Sequence, residues 1–192
     1  MNLELSEAIL RIILICITLI YFVIQIIFNR RFQPEETVAS VPLRSEIIFI
    51  LLNILWPGTI ILLLFSGFAY FELADIIRYT GILLYVLGIA LYTWSNIALG
   101  KDLSAGLQIR KGHQLVESGP YRKIRHPMYA AWLVCGLGIL LLSANWLITL
   151  LYFIPVISRI LLRLKPEEKL LSDHFGQKYG KYQKRTGYLF PK

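Results

Sequence analysis

The sequence predicts an all-α membrane protein, a polytopic bundle of about five transmembrane helices with an amphipathic helix near its C-terminus. The chain has 192 residues, of which 56% are hydrophobic, and its mean hydropathy is +0.60. Apolar runs of roughly 20 residues, the length needed to cross a hydrocarbon core, recur along it. Cys16 and Cys135 both lie inside apolar runs. Neither a disulfide scaffold nor a metal site is therefore expected.

The first half of the chain contains three predicted spans. They cover approximately residues 8–28, 47–70 and 76–99, and the second is interrupted by a Trp-Pro-Gly sequence where a kink is expected. Gly81 and Gly88 lie at a spacing that would let another helix approach closely. The amino terminus lacks a basic region before its apolar run, which favours a retained first helix over a cleaved signal peptide.

The second half begins with a polar segment, residues 100–127, that shows no sustained helical period. Residues 128–157 are apolar but interrupted at Ser143-Ala144-Asn145. Thirty residues fit two short or tilted helices joined by a tight turn better than one crossing. An amphipathic helix is expected from Pro166 to about Arg185, at the membrane surface or folded over a site.

The net charge of +8 could indicate a nucleic-acid partner, but the placement of the basic residues favours a membrane explanation. Lys and Arg gather in the first connector, in residues 100–127 and in the tail, and are scarce in the opposite loops. The positive-inside rule then places the C-terminus in the cytoplasm after five crossings. Both charged stretches described next fall on that predicted cytoplasmic side.

The first stretch is the turn-rich segment 119–129, which stands directly before an apolar run. His126 precedes a proline and is biased towards an extended conformation, whereas Pro127 suits the first position of a helix. The amides of that helix start could hold an anionic group such as a carboxylate. The alternative is that Arg125 and His126 anchor the helix at lipid headgroups.

The second stretch follows the last apolar run. Arg159, Arg163 and Glu167 are spaced four residues apart and would share one helical stripe, unless Pro166 breaks the helix. Arginines that deep in an apolar run usually face a partner or a wet cavity. The alternative is a structural salt bridge between Arg163 and Glu167. Glu168 is expected at the surface.

Three further side chains are expected to have no role in the site. His174 is expected to be solvated, and Trp132 and Trp146 are expected to be interface anchors at span ends.

These residues together resemble the isoprenylcysteine carboxyl methyltransferase family, within a wider group that includes membrane phospholipid methyltransferases. The shared pattern runs from about residue 100 to the end. It comprises His113-x-Leu115-Val116-x-x-Gly119-x-Tyr121, Arg125-His126-Pro127-x-Tyr129, Arg163-x-x-x-Glu167-Glu168, Phe175-Gly176 and Tyr179-x-x-Tyr182. The final Thr186-Gly187-Tyr188-Leu189-Phe190-Pro191 also resembles the family's carboxyl end. The compact length is similar to that of prokaryotic members.

The resemblance implies methyl transfer from S-adenosylmethionine to a lipophilic acceptor that enters from the bilayer. The acceptor group that it favours is the carboxylate of a prenylcysteine-like substrate. The single domain 1–192 would then hold three N-terminal spans in residues 1–99 and a catalytic region in residues 100–192. Arg163 would be the catalytic residue that meets the reacting end of the substrate. The cofactor-binding residues implied by position are Gln108, His113, Gln114, Leu115, Val116, Tyr121, His126, Pro127, Met128, Tyr129 and Glu167.

Other functions remain open at this point. A phospholipid amine could be the methyl acceptor. Membrane sterol reductases share the Arg-His-Pro region and the Glu-Glu tail but bind NADPH. A non-catalytic membrane interaction protein could also retain the fold.

Overall fold

In a computed structural model of the protein, the described residues are 3–30, 37–40, 60, 68–100, 108–110 and 114–192. Their elements are five α-helices, two short strands and one 3₁₀ helix. In chain order these are α1 (Leu3–Arg30), β1 (Thr37–Ser40), α2 (Asp75–Leu99), β2 (Gln108–Arg110), the 3₁₀ helix (Gly119–Arg122), α3 (Pro127–Ser143), α4 (Trp146–Phe175) and α5 (Gln177–Arg185).

The predicted all-α membrane fold is confirmed. Within the described part of the chain, three helices are long and apolar enough to cross a membrane, namely α1 from Ser6, α2 and α4, while α3 is apolar but shorter. The first and third predicted spans correspond to α1 and α2. The second, at 47–70 with its predicted kink, lies almost entirely outside the described residues. The two strands were not expected, and they pair antiparallel with a bulge.

Helices α2 and α3 pack closely because glycines remove side chains from their interface. A Cβ atom on Gly81 would lie 2.5 Å from the backbone nitrogen of Leu142, and one on Gly138 would lie 2.5 Å from that of Tyr85. A Cβ on Gly88 would meet the sulfur of Cys135 at the same distance. The expectation that Gly81 and Gly88 admit a neighbouring helix is therefore confirmed, and this seam forms part of the buried core.

The turn between α3 and α4 lies where the sequence places it. Ala144 adopts a left-handed conformation with φ of 47°, and the Asn145 side chain accepts hydrogen bonds from the amides of Leu147 and Ile148. Such an N-cap satisfies amide groups that have no partner inside the helix. The chain can therefore end one helix and begin the next within two residues.

Helix α4 is much longer than the short helix expected after this turn. It continues for 30 residues through Pro155 and Pro166. A proline inside a helix costs about 3 kcal/mol because it removes a hydrogen bond and crowds the preceding turn. Contacts made beyond Pro166, by Glu167 and Glu168, offset that cost, so the helix ends only at Gly176, which has φ of 53°.

The tail folds back towards the start of α3. After α5, the amide of Gly187 donates to the carbonyl oxygen of Lys123 at 2.9 Å. The amide of Arg125 donates to the carbonyl oxygen of Gly187, also at 2.9 Å. The His126 amide donates to the Tyr188 carbonyl oxygen at 3.2 Å. We call residues 186–190 the C-terminal strap, because these bonds hold it along the segment that leads into α3.

Candidate active site

The structure brings the two charged stretches together, although about forty residues separate them in the chain. The Nε2 atom of His126 lies 2.7 Å from Oε1 of Glu168, and the Tyr129 hydroxyl donates to Oε2 of Glu167 at 2.8 Å. The first pair joins the residue before α3 to the C-terminal part of α4. The second joins the first turn of α3 to the same part of α4. A polar cluster therefore forms at the end of the bundle where α3 begins.

Glu168 is the centre of this cluster, and the expectation that it lies at the surface is wrong. Besides the contact with His126, its carboxylate accepts hydrogen bonds from Nε of Arg125 at 3.1 Å, from the Tyr179 hydroxyl at 2.7 Å and from Nε2 of Gln183 at 2.7 Å. Its side chain is only 15% exposed. The helical spacing of α4 alone predicts a solvent position for Glu168, but the tail of the chain covers that side of α4.

Arg125 and His126 are held inside the protein rather than at lipid headgroups. The Arg125 guanidinium also donates to the carbonyl oxygens of Gln183 and Thr186, at 2.9 and 3.2 Å. The His126 ring stacks on that of Tyr129 and meets the edge of Tyr188, with centroids 5.6 and 5.3 Å apart. With side chains 14% and 3% exposed, neither residue fits the headgroup-anchor alternative.

Two tyrosines of α5 close the cluster from the tail side. Burial, together with the hydrogen bond to the Glu168 carboxylate, raises the pKa of Tyr179 well above its usual value. Burial raises the pKa of Tyr182 to about 12, and its hydroxyl donates to the carbonyl oxygen of Tyr121 at 2.8 Å. Both phenols therefore stay protonated, as donors, throughout the physiological pH range.

Glu167 differs from Glu168 in being partly accessible. Its side chain is 31% exposed, and it accepts from the Tyr129 hydroxyl while its Oε2 lies 4.0 Å from Nδ1 of His126. A carboxylate has about four lone-pair positions. Glu167 is therefore oriented by the protein and still has acceptor capacity for the hydroxyl or amino groups of a ligand.

Arg163 lies on the same stripe as Glu167, one turn earlier, and is 6% exposed. One further turn back, the Arg159 guanidinium lies over the ring of Trp132, 5.6 Å from its centroid. Trp132 in turn stacks on Tyr92 and tilts against Tyr129. The expectation that Trp132 is an interface anchor is thus wrong, because it is buried. Trp146 is 50% exposed at the start of α4, and its role as an interface anchor stays a prediction. His174 is exposed, as expected.

The remaining predicted cofactor residues lie along the segment that leads to α3. Gln108 is in β2, paired with Ser40, and His113 lies outside the described residues. Gln114 is exposed, Leu115 and Val116 are half-buried, and Tyr121 is buried in the 3₁₀ helix; Pro127 is buried and Met128 half-buried in the first turn of α3. Among the described residues no cluster of three His, Cys, Asp or Glu side chains could hold a metal ion.

The segment that contains this polar cluster matches a known protein family. A model of the isoprenylcysteine carboxyl methyltransferase (ICMT) family matches residues 81–173, which include His126, Tyr129, Arg163 and both glutamates. The predicted family resemblance is confirmed. Because the relatives are methyltransferases by name, a methyl donor is implied for the family.

Three curated relatives show how far the similarity extends. The chain is 34% identical over 76 residues to the protein-S-isoprenylcysteine O-methyltransferase of Schizosaccharomyces pombe, covering 40% of this chain and 32% of that protein. It is 28% identical to enzyme B of Arabidopsis thaliana, covering 55% of each chain. It is 31% identical to the Saccharomyces cerevisiae enzyme, covering 65% of this chain and 53% of that one. The chain therefore matches about half or less of these relatives' length.

A solved structure supports the fold. The eukaryotic intramembrane Ras methyltransferase ICMT superposes with a TM-score of 0.54 at 24% sequence identity, covering 77% of this chain and 49% of that one. At this identity the similarity concerns the fold alone. The protein is thus an integral membrane protein with an ICMT-like helical architecture.

Proposed function

We propose that this chain is an S-adenosylmethionine-dependent methyltransferase that acts on the carboxylate of a prenylcysteine-like lipophilic acceptor. The observation that carries the proposal is the convergence of His126 and Tyr129 with Glu167 and Glu168 at one end of the bundle. All four lie within the segment that matches the ICMT family. The positive-inside distribution of Lys and Arg supports a cytoplasmic position for this site.

The residues present fit the chemistry of the cofactor. Glu167 is an oriented, partly exposed carboxylate that can accept hydrogen bonds from ribose hydroxyls or an amino group. The amides of Met128 and Tyr129 stand in the first turn of α3, where a helix supplies no carbonyl acceptor, and His126 makes no side-chain cap there. These donors suit the carboxylate of an amino-acid moiety. When bound, S-adenosylmethionine supplies the transferable methyl group of a sulfonium.

The protein's task in such a reaction is alignment and exclusion of water rather than proton transfer. A carboxylate acceptor is already nucleophilic at neutral pH. We assign Arg163 to orienting that acceptor, because a guanidinium can bind both oxygens of a carboxylate. Its burial, together with its electrostatic interaction with the buried Tyr129, favours a site with little water.

The other site residues have supporting roles in this proposal. Glu168 holds Arg125, His126 and the tail in place and so fixes the walls of the cofactor site. The remaining cofactor contacts carried over by position from the family stay predictions. They are Gln108, His113, Gln114, Leu115, Val116, Tyr121, His126 and Pro127.

Ligand binding separates the proposal from its rivals. Purified protein should bind S-adenosylhomocysteine, the product of methyl transfer, in isothermal titration, and should not bind NADPH. Binding of NADPH alone would support a reductase, and binding of neither would support a non-catalytic protein. Incubation with labelled methyl donor and membrane extract then identifies the acceptor. A label recovered as a base-labile methyl ester of a lipid supports carboxyl methylation. A label recovered on the amine of a phospholipid would show N-methylation instead.

A further inference from the structure

The surface around the candidate active site carries a strong excess of positive charge. Within residues 114–192, nine Lys and Arg side chains are exposed, whereas Asp173 is the one exposed acidic side chain. The exposed basic residues are Arg122, Lys123, Lys165, Lys169, Lys178, Lys181, Lys184, Arg185 and Lys192. Arg185 is paired with Glu117, so its charge is partly compensated. The others face a surface with little negative charge to balance them.

Four of these residues lie on chain segments that the C-terminal strap brings together. We call Arg122, Lys123, Lys184 and Lys192 the basic rim. The carbonyl oxygen of Lys123 accepts a hydrogen bond from the Gly187 amide at 2.9 Å. The Lys192 ammonium donates a hydrogen bond to the Lys184 carbonyl oxygen at 3.0 Å. Arg122 and Lys123 immediately precede the segment that enters α3 at Pro127. The rim is therefore at the level where an apolar helix begins.

Exposed aromatic side chains lie on the C-terminal strap, between Lys184 and Lys192 of the rim. Phe190 is 69% exposed and Tyr188 is 37% exposed, while Leu189 between them packs against the hydrophobic core. Aromatic rings beside basic side chains are typical of the headgroup region of a bilayer, where the rings enter the interface and the cations meet phosphate. Both observations locate the strap at the membrane–water boundary.

We propose that the basic rim binds the headgroups of anionic phospholipids and thereby holds the C-terminal strap against the active-site segment. Each basic residue near an anionic lipid surface contributes attraction that a zwitterionic surface does not supply. Because the strap hydrogen-bonds to the backbone of Arg125 and His126, a lipid that binds the docked strap stabilises that arrangement by mass action. This lipid site is separate from the methyl acceptor and does not depend on the proposed reaction.

The first test compares soluble lipids with the full chain in a neutral detergent. Titration with dioctanoyl-phosphatidylglycerol should raise the thermal unfolding midpoint, and the zwitterionic dioctanoyl-phosphatidylcholine should not. Inorganic phosphate at equal concentration should have no such effect. Equal responses to both lipids, or a response to phosphate as large as that to phosphatidylglycerol, would overturn the proposal.

The second test locates the site. The double variant Lys184→Gln/Lys192→Gln should bind phosphatidylglycerol about thirtyfold more weakly, the size expected for losing two headgroup contacts. The control is Lys178→Gln/Lys181→Gln, which removes the same charge from exposed positions nearer the start of α5 and should change affinity less than about twofold. Equal losses in the two double variants would show a diffuse electrostatic effect and contradict a local site.

Discussion

The two ends of the helix bundle both contain buried polar clusters, but they are built differently. At the end where α3 stops, the Arg78 guanidinium pairs with Glu7 and donates to the Leu142 carbonyl oxygen at 3.2 and 3.3 Å. The side-chain Nδ2 of Asn145 donates to the Phe68 carbonyl oxygen at 2.8 Å. These groups are satisfied by helix ends and turns, so this cluster fixes the geometry of α1, α2 and α3.

At the end where α3 begins, two neighbouring carboxylates have different environments. Glu168 is enclosed and accepts from four side chains, whereas Glu167 is partly exposed and oriented by Tyr129. Glu7 is also partly exposed, but its carboxylate is already paired with the cations of Arg78 and Arg11, an arrangement that stabilises the fold. Glu167 is oriented by a neutral hydroxyl and keeps acceptor capacity, so its cluster can also bind a ligand. The difference between the ends therefore separates a structural arrangement from a candidate site, and it can be tested by substitution.

Removing the enclosed carboxylate should have the largest effect. Glu168→Ala leaves Arg125 and His126 without their shared anion, and breaking such a buried pair costs roughly 3–5 kcal/mol of unfolding free energy. Glu7→Ala is the matched change at the other end. It should cost less, about 2 kcal/mol, because the Glu7 carboxylate is 38% exposed and the buried Arg78 guanidinium keeps its hydrogen bonds to the Leu142 carbonyl oxygen. Thermal unfolding in detergent measures both, and equal losses would mean that the two clusters are energetically equivalent.

Arg163→Ala should lower turnover at least about a hundredfold, or about 2.7 kcal/mol, because an acceptor carboxylate loses its positioning contact. The affinity for S-adenosylhomocysteine should remain within about threefold of the original. Lys165→Ala, an exposed neighbour on α4, serves as the control and should retain activity. Parallel losses of affinity and turnover in Arg163→Ala would assign this residue to the cofactor instead.

Glu167→Gln should weaken S-adenosylhomocysteine binding about tenfold, equivalent to about 1.4 kcal/mol, because the open carboxylate becomes a neutral amide. Asp173→Asn removes an exposed charge from the same helix and should leave affinity unchanged. Isothermal titration provides both values. An unaltered affinity for Glu167→Gln would remove this residue from the cofactor site.

The smallest effect concerns Tyr182. Replacement by Phe loses the hydrogen bond to the Tyr121 carbonyl oxygen and should cost about 1 kcal/mol at neutral pH. The folded-state pKa of Tyr182 is raised to about 12, so its contribution is fully present below pH 10 and is lost as the pH rises towards 12. Tyr182→Phe should therefore reduce the alkaline loss of stability in a pH series. An identical alkaline slope in both proteins would contradict this assignment.

Local sequence signals predicted several elements correctly. The apolar runs predicted α1 and α2, and the Ser143-Ala144-Asn145 interruption predicted the turn before α4. These features depend on residues close in the chain, such as the Asn145 side chain that caps its own helix.

Features that depend on distant contacts could not be predicted in the same way. Helix α4 continues past Pro166 because the tail and α3 bind the residues that follow. Glu168 is enclosed because Tyr179 and Gln183, four residues apart on one face of α5, reach it from the folded-back tail. That spacing was a usable signal for the missed residue. The residues of the strap matched the family's C-terminal pattern, but nothing local in them predicted their hydrogen bonds to the segment before α3.

The central claim is that the start of α3 and the C-terminal part of α4 form one cofactor site. A double-mutant cycle with Tyr129→Phe and Glu167→Gln, read out as S-adenosylhomocysteine affinity, tests it directly because these side chains share a 2.8 Å hydrogen bond. Each single variant should weaken binding, and the double variant should lose less than the sum. Two single variants that bind as tightly as the unaltered protein would contradict a shared site.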